Sequence, residues 1–166
     1  MNVTTRPSTP EDAYDLAPRL RKEDVEEVFA INGCSPLQAL LDGLKGSDEC
    51  LTIMWDDRVV GMFGVAPLTK DLGAIWLLAS DDLPKIRWKF LKETRPWVQY
   101  FLTKYPRLTN MVDARNEVHI KWIKWAGFTF TNRTEVLPSG VPFLEFFKDR
   151  DNQCATLLPS QLSRSS

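Results

Sequence analysis

The run Gly73-Ala74-Ile75-Trp76-Leu77-Leu78 is almost wholly apolar. It is too short for a helix that buries itself, and the turn residues around it suit a strand. A strand that is apolar at nearly every position has no solvent face, so other layers must cover it on both sides. The chain is thereby directed towards a central strand with helices above and below it.

The flanking segments supply those layers. Thr4-Thr5-Arg6 starts a short extended segment that Pro7 ends. Thr9 then caps a helix, with Pro10 at the first helical position and Glu11 and Asp12 favouring its positive end. Ala13, Leu16, Ala17 and Leu20 form its apolar stripe, and Pro18 breaks it. A second helix is predicted over residues 24–31, with Val25, Val28 and Phe29 turned inward and Asn32-Gly33 as the stop. Ser35-Pro36-Leu37-Gln38 is a capping box opening a third, with Leu37, Leu40, Leu41 and Leu44 at helical spacing and Gly46 at its end.

Residues 50–55 and 58–65 then read as a hairpin around the acidic turn Asp56-Asp57. After the central strand, Asp81-Asp82-Leu83-Pro84 opens a long helix reaching about Lys104, with a kink expected at Pro96. A strand over residues 108–114, a helix over 116–126 stopped by Gly127, and strands at 129–131 and 142–147 complete the pattern. The order predicts an α/β fold, a mixed central β-sheet flanked by helices on both faces. Residues 1–149 form that domain and residues 150–166 a polar C-terminal tail, in which Leu157, Leu158 and Leu162 are the expected anchors on a partner.

Charge and composition narrow the function. With 21 Lys+Arg against 22 Asp+Glu, the formal net charge of −1 leaves no general field for nucleic acid. No apolar run approaches the roughly 20 residues of a membrane span. Met1 to Pro7 lacks the charged-then-apolar pattern of a signal peptide. Cys34, Cys50 and Cys154 form no C-x-x-C pair and are expected to be reduced thiols, with Cys50 buried rather than nucleophilic. His119 is the single histidine, which disfavours zinc hydrolysis and a Ser/His/Asp triad alike. A packed or surface position on its helix is expected for it. Trp88, Trp97, Trp122 and Trp125 sit at helical spacing and are expected in the core.

One string carries more. Asn116-Glu117-Val118-His119-Ile120-Lys121-Trp122-Ile123-Lys124-Trp125-Ala126-Gly127-Phe128 has an Asn opening a helix and Gly-Phe closing it before a strand. Together with Thr5-Arg6-Pro7 to Asp12, and Val59-Val60-Gly61 after a hairpin turn, it resembles the GNAT acyltransferase family over about residues 3–148. The resemblance implies a GNAT-like fold and a thioester site served by acetyl-CoA. Backbone N–H groups near Leu77 and Leu78 would polarise the thioester carbonyl. Residues 80–87 would meet the pyrophosphate, with Lys85, Arg87 and Lys89 as its cations, and Asn116 would contact the pantetheine side.

The departures from that pattern point the other way. The family's phosphate loop is glycine-rich because backbone N–H groups must approach the anion closely. Here Ser80-Asp81-Asp82-Leu83-Pro84-Lys85-Ile86-Arg87 has no glycine, loses one N–H at Pro84 and carries two acids. The position of the family's frequent Tyr acid is Ile123, which has no proton to give. Glu49 and Asp113 are the remaining candidates for a base.

Asn116, His119, Ile120, Lys121, Trp122, Ile123 and Lys124 are also similar to the small internal virion protein family of short-tailed (autographivirus-type) phages. That narrower resemblance implies a virion component or assembly factor without a cofactor. It would act through other virion proteins and reside in the particle, or in the host cytoplasm during assembly. Two readings therefore stand: a virion-associated protein with a degenerate GNAT fold, and an active acetyl-CoA-dependent N-acetyltransferase.

Overall fold

Residues 2–151 are described by the structure, a computed structural model. Seven strands form one sheet in the order β1-β2-β3-β4-β5-β7-β6. They span Val3–Pro7 (β1), Glu49–Trp55 (β2), Arg58–Thr69 (β3), Leu72–Ala79 (β4), Arg107–Asp113 (β5), Thr129–Val136 (β6) and Pro142–Asp149 (β7). Every pairing is antiparallel except β4 with β5. The apolar run at 73–78 is indeed the middle strand. β3 and β6 run further than predicted; β6 passes through a register break after Phe130 and pairs again at Thr134, Glu135 and Val136, a stretch with no apolar pattern of its own.

Five α-helices cover the sheet: Pro10–Leu16 (α1), Lys22–Asn32 (α2), Pro36–Gly46 (α3), Arg87–Lys104 (α4) and Glu117–Trp125 (α5). Strand alternation sends successive side chains to opposite faces. With the bulge opposite Ile53/Met54 shifting that alternation within β3, Val59, Met62 and Leu78 meet α1, α2 and α3 through Ala13, Leu16, Val28 and Leu40. Val60, Phe63 and Val65 meet α4 and α5 through Phe90, Phe101, Trp122 and Ile123. Pro18 stops α1, and a 3₁₀ turn at Ala17–Arg19 takes over. Gly33 and Gly127 end α2 and α5 at φ of 68° and 89°, a left-handed conformation in which a side chain is strained. Pro96 lies inside α4 without ending it.

Two inward assignments fail. Phe29 is 69% exposed, and the buried face of α2 carries Asp24, Glu27 and Val28 instead. Trp88 is 63% exposed and stacks on Trp125 at 5.3 Å between ring centroids. Trp122 is buried as expected. Residues 152–166, most of the predicted tail and with it Leu157, Leu158, Leu162 and Cys154, lie outside the described residues. Arg150, at the tail's start, still belongs to the domain: its N–H bonds Pro106 O and its guanidinium bonds Leu102 O.

Candidate functional site

The sheet opens between β4 and β5. β4 and β5 pair in parallel only over Leu72–Ala74 against Arg107–Thr109, and the ladder stops there although both strands continue. Beyond it, Asn110 Nδ2 reaches across to Ile75 O at 2.6 Å. Ala79, two pleats further, offers the same edge: its N–H bonds Asp24 Oδ2 (2.9 Å) and its C=O takes the Arg21 N–H (2.9 Å). By strand alternation, the N–H and C=O of Leu77 face the opening between these two points.

A cavity of about 260 Å³ fills the opening. It passes through the sheet, touching Val28, Ile31 and Ala39 on one face and Phe90, Trp122 and Phe128 on the other. Most of its wall is hydrocarbon. The polar exceptions include Asn110, Glu27 and His119. A largely apolar hollow with a few converging polar groups is the ordinary form of a small-molecule site.

Glu27 and His119 come from elements far apart in the chain. α2 lies across the free ends of β4 and β5, and Glu27 Oε1 accepts the N–H of Asp113 on β5 at 2.7 Å. Its other oxygen lies 3.5 Å from His119 Nδ1. Both residues are largely buried, and the His119 ring stands edge-on to Trp122. The histidine without a visible partner in the sequence thus has a carboxylate beside it. Glu27 was missed because the pattern of α2 marks its apolar residues, and nothing local shows that the acids face inward.

Next to this pair lies an ion pair sealed from water. Arg21 and Asp24, with side chains 2% and 0% exposed, meet at 2.7 Å, and the guanidinium lies 4.9 Å from the centre of the Trp122 ring. Asp24, Glu27 and His119 hold potential ligand atoms within 4.8 Å of one another. Arg21 already neutralises Asp24, and both carboxylates accept backbone N–H groups. The cluster is satisfied by the protein itself and is a poor host for a metal ion.

The residues singled out for a cofactor separate. Leu77 faces the opening as described. Leu78 pairs with Met62 on β3, so its backbone points away from the opening and only its side chain lines the cavity. Lys85 is drawn to Asp82 at 2.9 Å, and Arg58 holds the other oxygen of Asp82 at 2.9 Å. These hydrogen bonds, Lys85 first and Arg58 second, keep the Asp82 carboxyl below its ordinary range against a smaller opposing effect of burial. Arg87 lies over the rings of Trp88 and Trp125. Asn116 is buried at the start of α5, where Oδ1 accepts the His119 N–H at 3.2 Å; it caps the helix.

Residues 80–87 form a glycine-free turn that leads into α4. Leu83–Ile86 is a 3₁₀ turn. The Leu83 N–H bonds Ser80 O, the Lys85 N–H bonds Asp82 O, and the Asp82 N–H bonds Ser80 Oγ. The N–H groups of Asp82, Leu83 and Lys85 are thus donated within the turn, Pro84 has none, and the Asp82 carboxylate sits among them. Neither expected base is free. Burial pushes the Asp113 carboxyl up, but the hydrogen bonds and charge of Arg115 outweigh it and hold it below the usual carboxylate range. Glu49 is occupied by Lys104 and Tyr100.

No protein-family model matches the chain, and no curated protein sequence is significantly similar to it. Solved structures are similar in shape. Aminoglycoside acetyltransferase AAC(6')-Ib in complex with coenzyme A superposes with a TM-score of 0.68 at 18% identity, over 93% of this chain and 99% of that one. Ard1 from Thermoplasma volcanium gives 0.65 at 15% identity, over 91% and 99%. A GNAT-family acetyltransferase from Streptococcus pneumoniae gives 0.60 at 15% identity, over 90% and 100%. At such identities the likeness is one of architecture. The seven-stranded mixed sheet, with helices on both faces, is that of the GNAT acetyltransferases.

Proposed function

We propose that this chain is an N-acyltransferase in which an acyl thioester enters the opening between β4 and β5 and an amine meets it there. One observation carries the reading: the backbone edge at Leu77 faces the same cavity that the Glu27–His119 pair lines. The named solved neighbours support it, being acetyltransferases, one of them in complex with coenzyme A.

The residues divide the work as follows. In the tautomer that carries its proton on Nδ1, which lies 3.5 Å from Glu27 Oε2 and 3.5 Å from Asn116 Nδ2, the imidazole keeps its Nε2 lone pair to take a proton from the attacking amine. The amine nitrogen then bonds the carbonyl carbon and the C–S bond breaks. The sulfur leaves as thiolate and takes up the proton. The Leu77 N–H is the donor available to the carbonyl oxygen as negative charge develops on it. The apolar wall excludes water, which limits hydrolysis of the thioester. Glu27 orients the ring.

The expected result is amine-dependent thiol release from millimolar S-acetylpantetheine or acetyl-CoA. His119→Ala should lower kcat by roughly 100-fold or more while leaving donor binding in place. Full activity in that variant would remove His119 from the chemistry. Absence of amine-dependent release with either donor would overturn the reading itself. Association with other virion proteins, in a particle or in the host cytoplasm, rests on the 116–124 resemblance alone.

A further inference from the structure

Resting on the acyltransferase reading, we infer that the acceptor is a monoamine borne on an apolar chain or ring, and that Trp76 and Ile31 set this preference at the mouth of the cavity.

The two faces of the cavity differ in access. On the α4–α5 face its large apolar side chains, Phe90, Trp122, Ile123 and Phe128 among them, are buried. On the α2–α3 face the lining is reached from solvent. Ile31 is 51% exposed there, and Ala39, Gly43, Trp76 and Met111 are half-buried. An amine that comes in over α2 and α3 meets these residues first.

Their chemistry selects against a second positive charge. Ile31, Ala39, Trp76 and Met111 offer hydrocarbon, an indole and a thioether. Glu27 is the one carboxylate among the described residues that line the cavity, and both its oxygens are engaged. Oε1 accepts the Asp113 N–H at 2.7 Å, and Oε2 lies 3.5 Å from His119 Nδ1. A polyamine would hold its further ammonium groups against hydrocarbon with no counter-ion, which is costly. A monoamine on an apolar group gains with each methylene that it buries.

Trp76 is built as a fixed wall for such a group. Side chains alternate along β4, so Trp76 faces the α1–α3 layer while Ile75 and Leu77 face the other. Its Nε1–H donates to Ser47 Oγ at 2.8 Å. Gly43 and Gly64 make room for the ring: a Cβ on Gly43 would stand 2.7 Å from Cζ2, and one on Gly64 3.1 Å from Nε1. An indole held by a hydrogen bond and by two close backbone contacts presents a flat apolar surface that binding does not have to order.

Initial rates of thiol release from S-acetylpantetheine or acetyl-CoA by the full chain test this, with propylamine to hexylamine, 2-phenylethylamine and spermidine as acceptors. Along the linear series kcat/KM should rise about fourfold per methylene. 2-Phenylethylamine should exceed spermidine by roughly tenfold or more. Ile31→Glu changes an exposed side chain and sets a carboxylate at the mouth, so the hexylamine-to-spermidine ratio of kcat/KM should fall by roughly tenfold, chiefly through KM. A flat series, spermidine as good an acceptor as 2-phenylethylamine, or an unchanged ratio in the variant would overturn the inference and leave the acyltransferase reading standing. Release with none of the amines would remove that reading, and the inference with it.

Discussion

Asp12 shows how much one buried carboxylate can hold together. It is 4% exposed, and it accepts from both guanidinium nitrogens of Arg6 (2.7 and 2.8 Å), from the Thr9 N–H (2.9 Å) and from the Thr52 hydroxyl (2.8 Å). β1, α1 and β2 therefore meet at one side chain. Burial alone would raise its pKa, but Arg6, Thr9 and Thr52 together outweigh burial and lower it. A lowered folded value means stability that is fully present above the ordinary carboxylate pKa of about 3.9 and lost as pH falls through the folded one. Asp12→Asn should cost about 2 kcal/mol in urea unfolding at pH 7, allowing for the half-exposed Arg6. The gap to wild type should narrow as pH falls through the lowered Asp12 value, below the ordinary carboxylate range, and a gap that stayed constant would mean the charge is not what matters. The role of Asp12 in the first turn of α1 was readable from Thr9-Pro10-Glu11-Asp12. Its bonds to Arg6 and Thr52 were not, because the hydroxyl comes from a strand 40 residues away.

At the scale of elements, α2 is the instructive case. Its start, length and Gly33 stop follow from local signals, yet its predicted inward face was wrong at Phe29. The helix lies over the ends of β4 and β5, where the N–H groups of Ala79 and Asp113 have no neighbouring strand to receive them. Buried donors without acceptors are costly, and Asp24 and Glu27 satisfy them. That demand turns the acids inward and leaves Phe29 outside. It also explains why Arg21 is buried: it neutralises Asp24. Arg21→Ala leaves a carboxylate sealed in without its cation and should destabilise the domain by roughly 3–5 kcal/mol, read as a lower urea midpoint at unchanged slope. A loss under about 1 kcal/mol would mean that water reaches Asp24 once the arginine is gone.

The whole molecule adds the cavity, which belongs to no single element. α2, α3, α4 and α5 and the strands β3, β4, β5 and β7 all contribute to its wall. A ligand that binds only the folded state stabilises it by mass action, about 2.7 kcal/mol at 100 times Kd. For a chain of this size, S-acetylpantetheine at that excess should raise Tm by roughly 5–10 °C. Ala126 lines the cavity at the end of α5, so Ala126→Phe should fill the space and abolish the rise. A shift that survived the larger side chain would place the ligand elsewhere.

The sequence by itself determined the order and type of the elements, several of their caps and stops, and which of them lies at the centre. Caps, prolines, glycines and hydrophobic period act over a few residues and carry that information locally. It also determined that residues 80–87 lack the glycines of an anion loop. Only the tertiary structure decided that β4 and β5 part after Ala74 and that Leu77 rather than Leu78 presents its backbone to the gap. It alone brought Glu27 to His119 and to an N–H 86 residues away. Those facts follow from unsatisfied backbone groups at the ends of parting strands, and such groups exist only once the strands have paired.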